Sequence, residues 1–253
     1  MISNLSPIGL QELVADAALL TRIDRKYAMS ANEADTALRD LPAQTRVLTI
    51  DDQSSFAYES FYFDTPDLLS YRMAALGRRR RFKLRTRAYV DSGDAYLELK
   101  TRGARSATVK ERIEYHFDER EILTAEGRRY AAAGLEGLGL SHPEQLPLQP
   151  TLATRYRRTT LLAPDGGGRA TIDTDLSWEL ADGTLLAVPD LVIIETKSGQ
   201  RTGAIDRMLW AHGIRPTTIS KYGTGLAALR PDLPSNKWAR VLRRRFPTAA
   251  FAA

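Results

Sequence analysis

A run of basic residues at every second position is the feature of this sequence with the clearest chemistry. Residues 79–89 alternate between cations and mostly apolar side chains. Successive side chains of a β-strand point to opposite faces, so the segment predicts a strand with one cationic and one apolar face. Because like charges about 6–7 Å apart repel one another, such a face favours a bound polyanion. The cations are Arg79, Arg81, Lys83, Arg85 and Arg87.

Later segments repeat this alternation. Residues 96–101 and 108–117 each place charged side chains opposite apolar ones, and residues 191–197 end in the same way. Any one of these strands also fits an ordinary antiparallel sheet with one solvent-exposed face. Several of them in succession, with helices available to cover the apolar face, favour a barrel with a polar interior. The charged positions are Glu98, Lys100, Lys110, Arg112, Glu114, His116, Glu195 and Lys197.

Helix and strand signals indicate an α+β fold, an antiparallel β-barrel tunnel with flanking helices. Ser6-Pro7 predicts a first helix, Ser30 with Glu33 forms a capping box for a second, and Asp118 with Glu121 predicts a later helix that extends to about residue 133. Strands are expected on both sides of the Gly- and Pro-rich segment 134–150. We therefore expect a single tunnel domain over residues 1–236, followed by a basic C-terminal helix and tail over residues 237–253.

The composition excludes several function classes. The 253 residues carry a formal net charge of +5 and contain no cysteine, which rules out disulfides, thiolate metal sites and cysteine nucleophiles. No apolar stretch approaches the roughly 18 residues of a membrane span, and the acidic Glu12 and Asp16 are unlike a signal peptide. We expect a cytoplasmic protein. The three histidines stand apart in sequence and show no nucleophile–base arrangement. No P-loop, helix-turn-helix or zinc-finger spacing is present, so the sequence does not predict a nucleic-acid partner.

The residue types of the basic face suit phosphate. Arginine makes planar bidentate contacts with phosphate oxygens, and lysine supplies a compact point charge. We expect Lys83, Lys110, Arg112 and Lys197 to bind phosphates. The carboxylates among these cations have two interpretations, because Glu98 and Glu195 can hold a divalent metal that bridges phosphate oxygens or can form local salt bridges.

Short motifs in this order resemble the VTC domain, the polyphosphate polymerase module of the vacuolar transporter chaperone complex, within the triphosphate tunnel enzymes. The resemblance covers about residues 22–226. The motifs are Asp24-Arg25-Lys26-Tyr27, Tyr62-Phe63-Asp64-Thr65-Pro66, Arg81-Phe82-Lys83-Leu84-Arg85-Thr86-Arg87, Leu97-Glu98-Leu99-Lys100, Tyr156-Arg157-Arg158, Ile172-Asp173-Thr174-Asp175, Ile194-Glu195-Thr196-Lys197 and Ser220-Lys221-Tyr222.

The resemblance implies transfer of the ATP γ-phosphoryl group to a growing inorganic polyphosphate chain, with release of ADP. A divalent metal, manganese rather than magnesium, would assist at Glu195. The catalytic cations implied are Lys26, Arg85, Arg87, Lys100 and Lys221. Further phosphate contacts implied are Tyr156, Arg158, Arg169 and Ser220, together with an arginine before residue 81, for which Arg72 and Arg78 are both candidates.

Other functions stay open at this point. Proteins that resemble this tunnel type can also hydrolyse triphosphates. The first strand of such hydrolases begins with a Glu-x-Glu-x-Lys pattern, whereas the first strand here has a single acid, Asp24. A non-catalytic polyphosphate-binding module is another alternative. The C-terminal segment has Trp238, Val241 and Phe246 on one helical face and arginines around it. This pattern has two interpretations. The helix either contacts a membrane-protein partner at the inner face of a membrane, or packs on the barrel with a solvated basic side.

Overall fold

A computed structural model describes residues 5–16, 23–103, 108–164, 168–199 and 201–246. These residues form eleven strands in one sheet and seven α-helices. The strands are β1 (Ser6–Ile8), β2 (Ile23–Ser30), β3 (Arg46–Leu48), β4 (Phe56–Asp64), β5 (Arg81–Tyr89), β6 (Asp94–Arg102), β7 (Thr108–Tyr115), β8 (Gln149–Leu162), β9 (Arg169–Leu180), β10 (Leu185–Val188) and β11 (Leu191–Ser198). The α-helices are α1 (Leu10–Asp16), α2 (Ala31–Leu38), α3 (Leu69–Ala75), α4 (Ala125–Glu136), α5 (Ala204–Ala211), α6 (Lys221–Leu229) and α7 (Ala239–Arg245).

The sheet follows the order β2-β11-β9-β8-β4-β5-β6-β7, and every pair along this path is antiparallel. Among the described residues, no hydrogen-bonded pairing joins β2 to β7. The sheet nevertheless curls. The curl brings Lys26 on β2 close to Lys83 on β5 and Lys100 on β6, so that its charge contributes to lowering the pKa of both lysines. The predicted antiparallel tunnel barrel with flanking helices is confirmed.

The apolar face of the curled sheet points outward and is covered by helices. Tyr27 and Ile194 pack with α2 and α5, and Leu84 and Leu99 pack against α4. The strict alternation of β5 places Phe82, Leu84, Thr86 and Ala88 in this buried layer and leaves its basic residues on the opposite face. Covering the outer face in this way forces the charged side chains into the bore.

We use the term inner face for the opposite face of the sheet, which is polar in one half and apolar in the other. The change occurs at a bulge in β9, where Asp175 has φ of 53° and the register with β8 shifts. The extra residue lets Asp173 and Leu176 both face inward, three positions apart. Beyond the bulge, Leu152, Leu176 and Trp178 pack with α6 and with the C-terminal segment. One end of the bore is thus filled by apolar packing.

Two glycines allow α6 to approach this end closely. A Cβ atom at Gly225 would lie 2.1 Å from the indole of Trp178, and one at Gly223 would lie 2.3 Å from that of Trp238. Glycine costs about 1 kcal/mol in a helix interior, and here close packing against two tryptophans compensates for that cost. This packing fixes the first residue of the helix, Lys221, at the floor of the polar half.

Some predicted elements differ from the structure. Ser6 and Pro7 lie in β1 and not at a helix start, because they pair in parallel with β3. The helix expected from Asp118 begins instead at Ala125, since the Thr124 hydroxyl caps it by accepting from Gly127 N. The capping box of Ser30 and Glu33 is present as predicted. The tail after residue 246 lies outside the described residues.

The C-terminal segment packs on the barrel through its apolar side. Trp238, Val241 and Phe246 are buried in the core cluster that also contains Trp178. Arg243 and Arg244 remain exposed, while the Arg245 guanidinium pairs with Glu33 at 2.7 Å. Any partner of this segment would therefore meet its basic side.

Candidate functional site

Most of the predicted site residues converge on the polar half of the inner face. Strand register carries them to neighbouring positions, with Arg85 opposite Glu98, Glu98 opposite Arg112, and Lys26 opposite Glu195. Cations outnumber carboxylates there. The cations are Lys26, Lys83, Arg85, Arg87, Lys100, Lys110, Arg112, Arg158, Arg169, Lys197 and Lys221, and the carboxylates are Asp24, Glu98, Glu114, Asp173 and Glu195.

Asp173 joins two of the predicted cations. Its carboxylate accepts hydrogen bonds from Arg158 at 2.6 and 2.8 Å and forms an ion pair with Lys221 from the start of α6. Burial raises the pKa of Asp173, but Arg158 and Lys221 outweigh it, so the pKa lies below its usual range. Two cations on one buried carboxylate leave this cluster with a net positive charge.

Glu98 is tightly held by cations. It accepts hydrogen bonds from Arg85 at 2.6 and 2.8 Å and from Lys110 at 2.6 Å, and Arg87 lies 3.9 Å away. Burial raises the pKa of Glu98, but these three cations together lower it well below the ordinary glutamate value. Both carboxylate oxygens are engaged at short distances, which is the geometry of the salt-bridge interpretation.

Glu195 is held more loosely. Its carboxylate oxygens lie 3.5 Å from the Lys26 ammonium and 3.3 Å from that of Lys197, longer than ordinary charge-assisted hydrogen bonds. Burial raises the pKa of Glu195, but Lys26 and Lys197 reverse this effect and keep it ionised. Its lone pairs are thus less committed than those of Glu98. Of the two predicted metal ligands, Glu195 has the geometry that better suits a bound cation.

Lys83 and Lys100 form no ion pair with any described residue. Lys83 donates to the Ser220 hydroxyl at 2.9 Å, and burial followed by the nearby Lys26, Arg85 and Lys100 holds its pKa well below the usual lysine value. Desolvation and Lys26 also lower the pKa of Lys100, and outweigh the opposite effect of the Asp24 and Glu195 carboxylates. The two face each other across β5 and β6. Opposed like charges are unfavourable until an anion lies between them.

Aromatic side chains complete the polar half. The Tyr156 ring lies 4.2 Å from the Lys221 ammonium and 5.2 Å from the Arg158 guanidinium, and its hydroxyl is buried without a hydrogen-bond partner among the described residues. Burial raises the pKa of Tyr156, but Arg158, Arg87 and Lys221 together lower it. A free hydroxyl beside these cations is a ready donor to an anionic oxygen.

The two alternative arginines lie apart from this set. Arg72 is exposed on α3, where its guanidinium donates to the backbone carbonyl of Asp67 at 2.8 Å. Arg78 is exposed in the turn before β5. Neither side chain belongs to the inner face, because both precede the strand whose alternation directs basic residues inward.

The sequence-based assignment missed Asp24 and Asp173 as members of the site. Both occur in motifs noted in the sequence, yet neither was given a role. Asp24 alternates with Lys26 on β2 and faces Lys197, and Asp173 faces Arg158. The alternation of β2 was sufficient to find Asp24, whereas the partners of Asp173 depend on the bulge and on α6.

A divalent metal fits this site only in part. Within the described ranges, no group of three or more His, Cys, Asp or Glu residues could hold an ion. Glu195 offers one loosely paired carboxylate, so a metal there would take most of its oxygen ligands from bound phosphates. Magnesium is commonly held in this way, by one or two carboxylates plus substrate phosphates.

The curled antiparallel sheet with flanking helices is the triphosphate tunnel fold. The structure of this chain is similar to that of the putative adenylyl cyclase HpAC1 from Hippeastrum, a protein with a dominant triphosphatase activity. The TM-score is 0.51 at 14% identity, over 82% of this chain and 96% of that one. A conserved hypothetical protein from Pyrococcus furiosus aligns at a TM-score of 0.39 and 13% identity, over 77% of this chain and 92% of that one.

The sequence also identifies a family, which is a narrower group than the proteins that share this fold. Residues 21–230 match the VTC domain family, and the chain belongs to that family. None of the curated proteins matches the sequence. In the part of the chain that the structure describes, no helix has the length and apolar character needed to cross a membrane.

Proposed function

We propose that this protein is a polyphosphate polymerase, which transfers the γ-phosphoryl group of ATP to the end of a growing inorganic polyphosphate chain and releases ADP. The observation that carries the proposal is the excess of inner-face cations, and in particular the opposed pair of Lys83 and Lys100, which have no ion-pair partner among the described residues. A string of phosphates would relieve their repulsion along the polar half of the bore. VTC family membership supports the same substrate class.

The proposed reaction needs little covalent chemistry from the protein. Phosphoryl transfer passes through a loose transition state with negative charge on the equatorial oxygens. Arg158, Lys221 and Lys26 supply positive charge from different walls of the bore, already in place before the reaction. The acceptor is a terminal phosphate that is anionic near neutral pH, so no strong general base is required.

The roles within the site follow from these contacts. Lys26, Arg85, Arg87, Lys100 and Lys221 would stabilise the transferring group, and the other basic residues of the inner face would hold the polymer. Glu195 would hold a divalent metal, manganese in preference to magnesium, whose chemistry when bound is to neutralise charge on the bridging phosphate oxygens. We do not include Glu98 among the metal ligands, because Arg85 and Lys110 already occupy its oxygens.

A second candidate is hydrolysis of triphosphate in the same bore. The observation that favours it is the structural likeness to the Hippeastrum protein, which has a triphosphatase activity. The two reactions differ in whether a phosphate end or a water molecule attacks. A non-catalytic polyphosphate-binding module would keep the cations and perform neither reaction. A cytoplasmic location and a membrane-protein partner of the basic C-terminal helix also stay predictions.

The test is incubation of the purified full chain with ATP and manganese, followed by separation of polyphosphate on a gel and an assay of ADP. The proposal expects polymer and ADP to form together, in equal phosphate equivalents. Free orthophosphate without polymer would instead establish the hydrolase. No turnover, with tight binding of added polyphosphate, would establish the binding module.

A further inference from the structure

The basic track of the inner face continues along β5 and β6, past the proposed site, to the first residue of β5 and the last residue of β6. Arg81 and Arg102 lie directly opposite each other on β5 and β6, one inward-facing position beyond Lys83 and Lys100. Arg81 uses one guanidinium nitrogen to bond the Arg78 carbonyl at 2.8 Å, and Arg102 has a buried Nε atom without a hydrogen-bond partner among the described residues. From Arg81 to Arg85 the track spans roughly 14 Å, at the strand rise per residue.

A third cation reaches this place from the C-terminal segment. The Lys237 ammonium donates to the Ala74 carbonyl at 2.6 Å, which anchors it on α3 beside the start of β5. Desolvation, followed by repulsion from Arg81 and Arg102, lowers the pKa of Lys237. We refer to Arg81, Arg102 and Lys237 as the mouth cluster.

No described carboxylate forms an ion pair with the mouth cluster, and the Nε atom of Arg102 is buried without a partner among the described residues. Among the described residues, three cations therefore meet without a paired counter-charge, two from β5 and β6 and one from the C-terminal segment. This arrangement costs stability unless an anion is present.

The lysines of this chain are concentrated on the inner face. The sequence has seven lysines, and six of them are on the inner face, whereas the exposed basic residues of the outer surface are arginines. The seventh is Lys237, at the mouth cluster. The six inner-face lysines are Lys26, Lys83, Lys100, Lys110, Lys197 and Lys221.

We propose that the mouth cluster is a second phosphate-binding site, which holds the distal phosphates of a long inorganic polyphosphate while its end lies on the inner face. It would give the protein a preference for long chains over short ones. The inference rests on the proposed function for the identity of the polymer, but not on any catalytic step. A three-phosphate chain held at Arg158 and Lys221 would leave the mouth cluster unoccupied.

The test compares two probes, tripolyphosphate and a polyphosphate tens of units long, by isothermal titration without ATP. The variant Arg81→Gln/Arg102→Gln removes two cations of the mouth cluster. The control Arg80→Gln/Arg129→Gln removes the same charge from exposed arginines, of which Arg80 lies against Gly139 on the outside and Arg129 lies on α4. We expect the first variant to bind the long chain about tenfold more weakly, and tripolyphosphate as the wild type does.

A measurement on the unmodified chain gives an independent readout. Lys237 is exposed, so an amine-reactive reagent should label it, and mass spectrometry would report protection. The long chain should protect Lys237 while tripolyphosphate should not, although both protect Lys221. This result does not depend on whether a variant folds.

Three outcomes would overturn the inference. These are an equal loss of affinity for both probes in the mouth variant, an equal loss in the control variant, or labelling of Lys237 that the long chain leaves unchanged. Failure of the proposed function is distinguishable, because it appears as absence of polymer from ATP while the chain-length dependence of binding persists. If the wild type makes polymer from ATP but the Arg81→Gln/Arg102→Gln variant binds the long chain as tightly as the wild type does, this inference alone is overturned.

Discussion

The ammonium group of Lys83 donates a hydrogen bond to the Ser220 hydroxyl, 2.9 Å away, and the same hydroxyl caps α6 by accepting from Gly223 N at 3.2 Å. A cation of β5 is thereby tied to the helix that presents Lys221. The hydroxyl carries no charge, so it orients Lys83 without neutralising it. Lys83 is therefore poised to respond to a bound anion.

Oligophosphate binding should be coupled to proton uptake at mildly alkaline pH. Burial and neighbouring cations depress the pKa of Lys83, and a bound anion would raise it towards or beyond the ordinary lysine value. Titration calorimetry in two buffers of different ionisation enthalpy measures the protons taken up. We expect Lys83→Met to lose a substantial part of the uptake, whereas Arg80→Met, on the outside, should keep it. Equal uptake in both variants would show that Lys83 is already fully protonated.

The same shift sets a stability profile. Because the pKa of Lys83 is lowered in the folded state, the unfolded chain binds more protons than the folded chain. The contribution of Lys83 to the free energy of unfolding therefore grows as pH rises towards the ordinary lysine pKa. Without ligand, wild-type melting temperature minus that of Lys83→Met should increase from neutral pH towards pH of about 10. A difference that falls with pH would contradict the assignment.

Neighbouring residues on β2 should have separable roles. Lys26 faces Glu195 in the bore, whereas Arg25 faces outward and bonds the buried Asp206 at 3.2 Å. We expect Lys26→Ala to abolish synthesis from ATP with little change in melting temperature. Arg25→Ala should lower the melting temperature and leave turnover per folded molecule near that of the wild type. If Lys26→Ala were fully active, Lys26 would have no place in the catalytic set.

The stability lost on removal of the Asp173 charge should be restored in part by a bound phosphate ligand. Asp173→Asn leaves Arg158 and Lys221 without their shared counter-ion, and breaking such a buried pair costs about 3–5 kcal/mol. Tripolyphosphate should then raise the melting temperature more in this variant than in the wild type, because its oxygens replace the missing charge. Asp206→Asn is the matched control, since that buried carboxylate bonds Tyr27 and Thr196 behind the sheet. It should be destabilised without rescue, and similar rescue of both would contradict the site.

The two glutamates of the bore should separate metal dependence from stability. Glu195→Gln should reduce activity by at least about tenfold and weaken its dependence on added manganese, since a carboxylate ligand is lost. Glu98→Gln should instead lower the melting temperature, because Arg85 and Lys110 lose their counter-ion, while the manganese concentration for half-maximal activity stays near that of the wild type. Matching metal titrations for both variants would remove the metal role from Glu195.

Much of the local structure could be predicted from the sequence because its causes lie within a few residues. The period of two in residues 81–89 places Lys83 and Arg85 on one face wherever the strand lies, and Ser30 with Glu33 caps α2 through atoms three residues apart. The family motifs add the tunnel fold. These local patterns account for most of the inner-face cations.

What these cations surround was decided only by tertiary structure. The bulge at Asp175 determines where the bore changes from polar to apolar, and the closure of α6 against Trp178 brings Lys221 to Asp173, 48 residues away in sequence. The loose pairing of Glu195 and the arrival of Lys237 at Arg81 and Arg102 are equally non-local. Side-chain alternation follows from the sterics of adjacent residues, whereas register, closure and ion pairing depend on which distant segments pack together, and that is settled by the free energy of the whole chain.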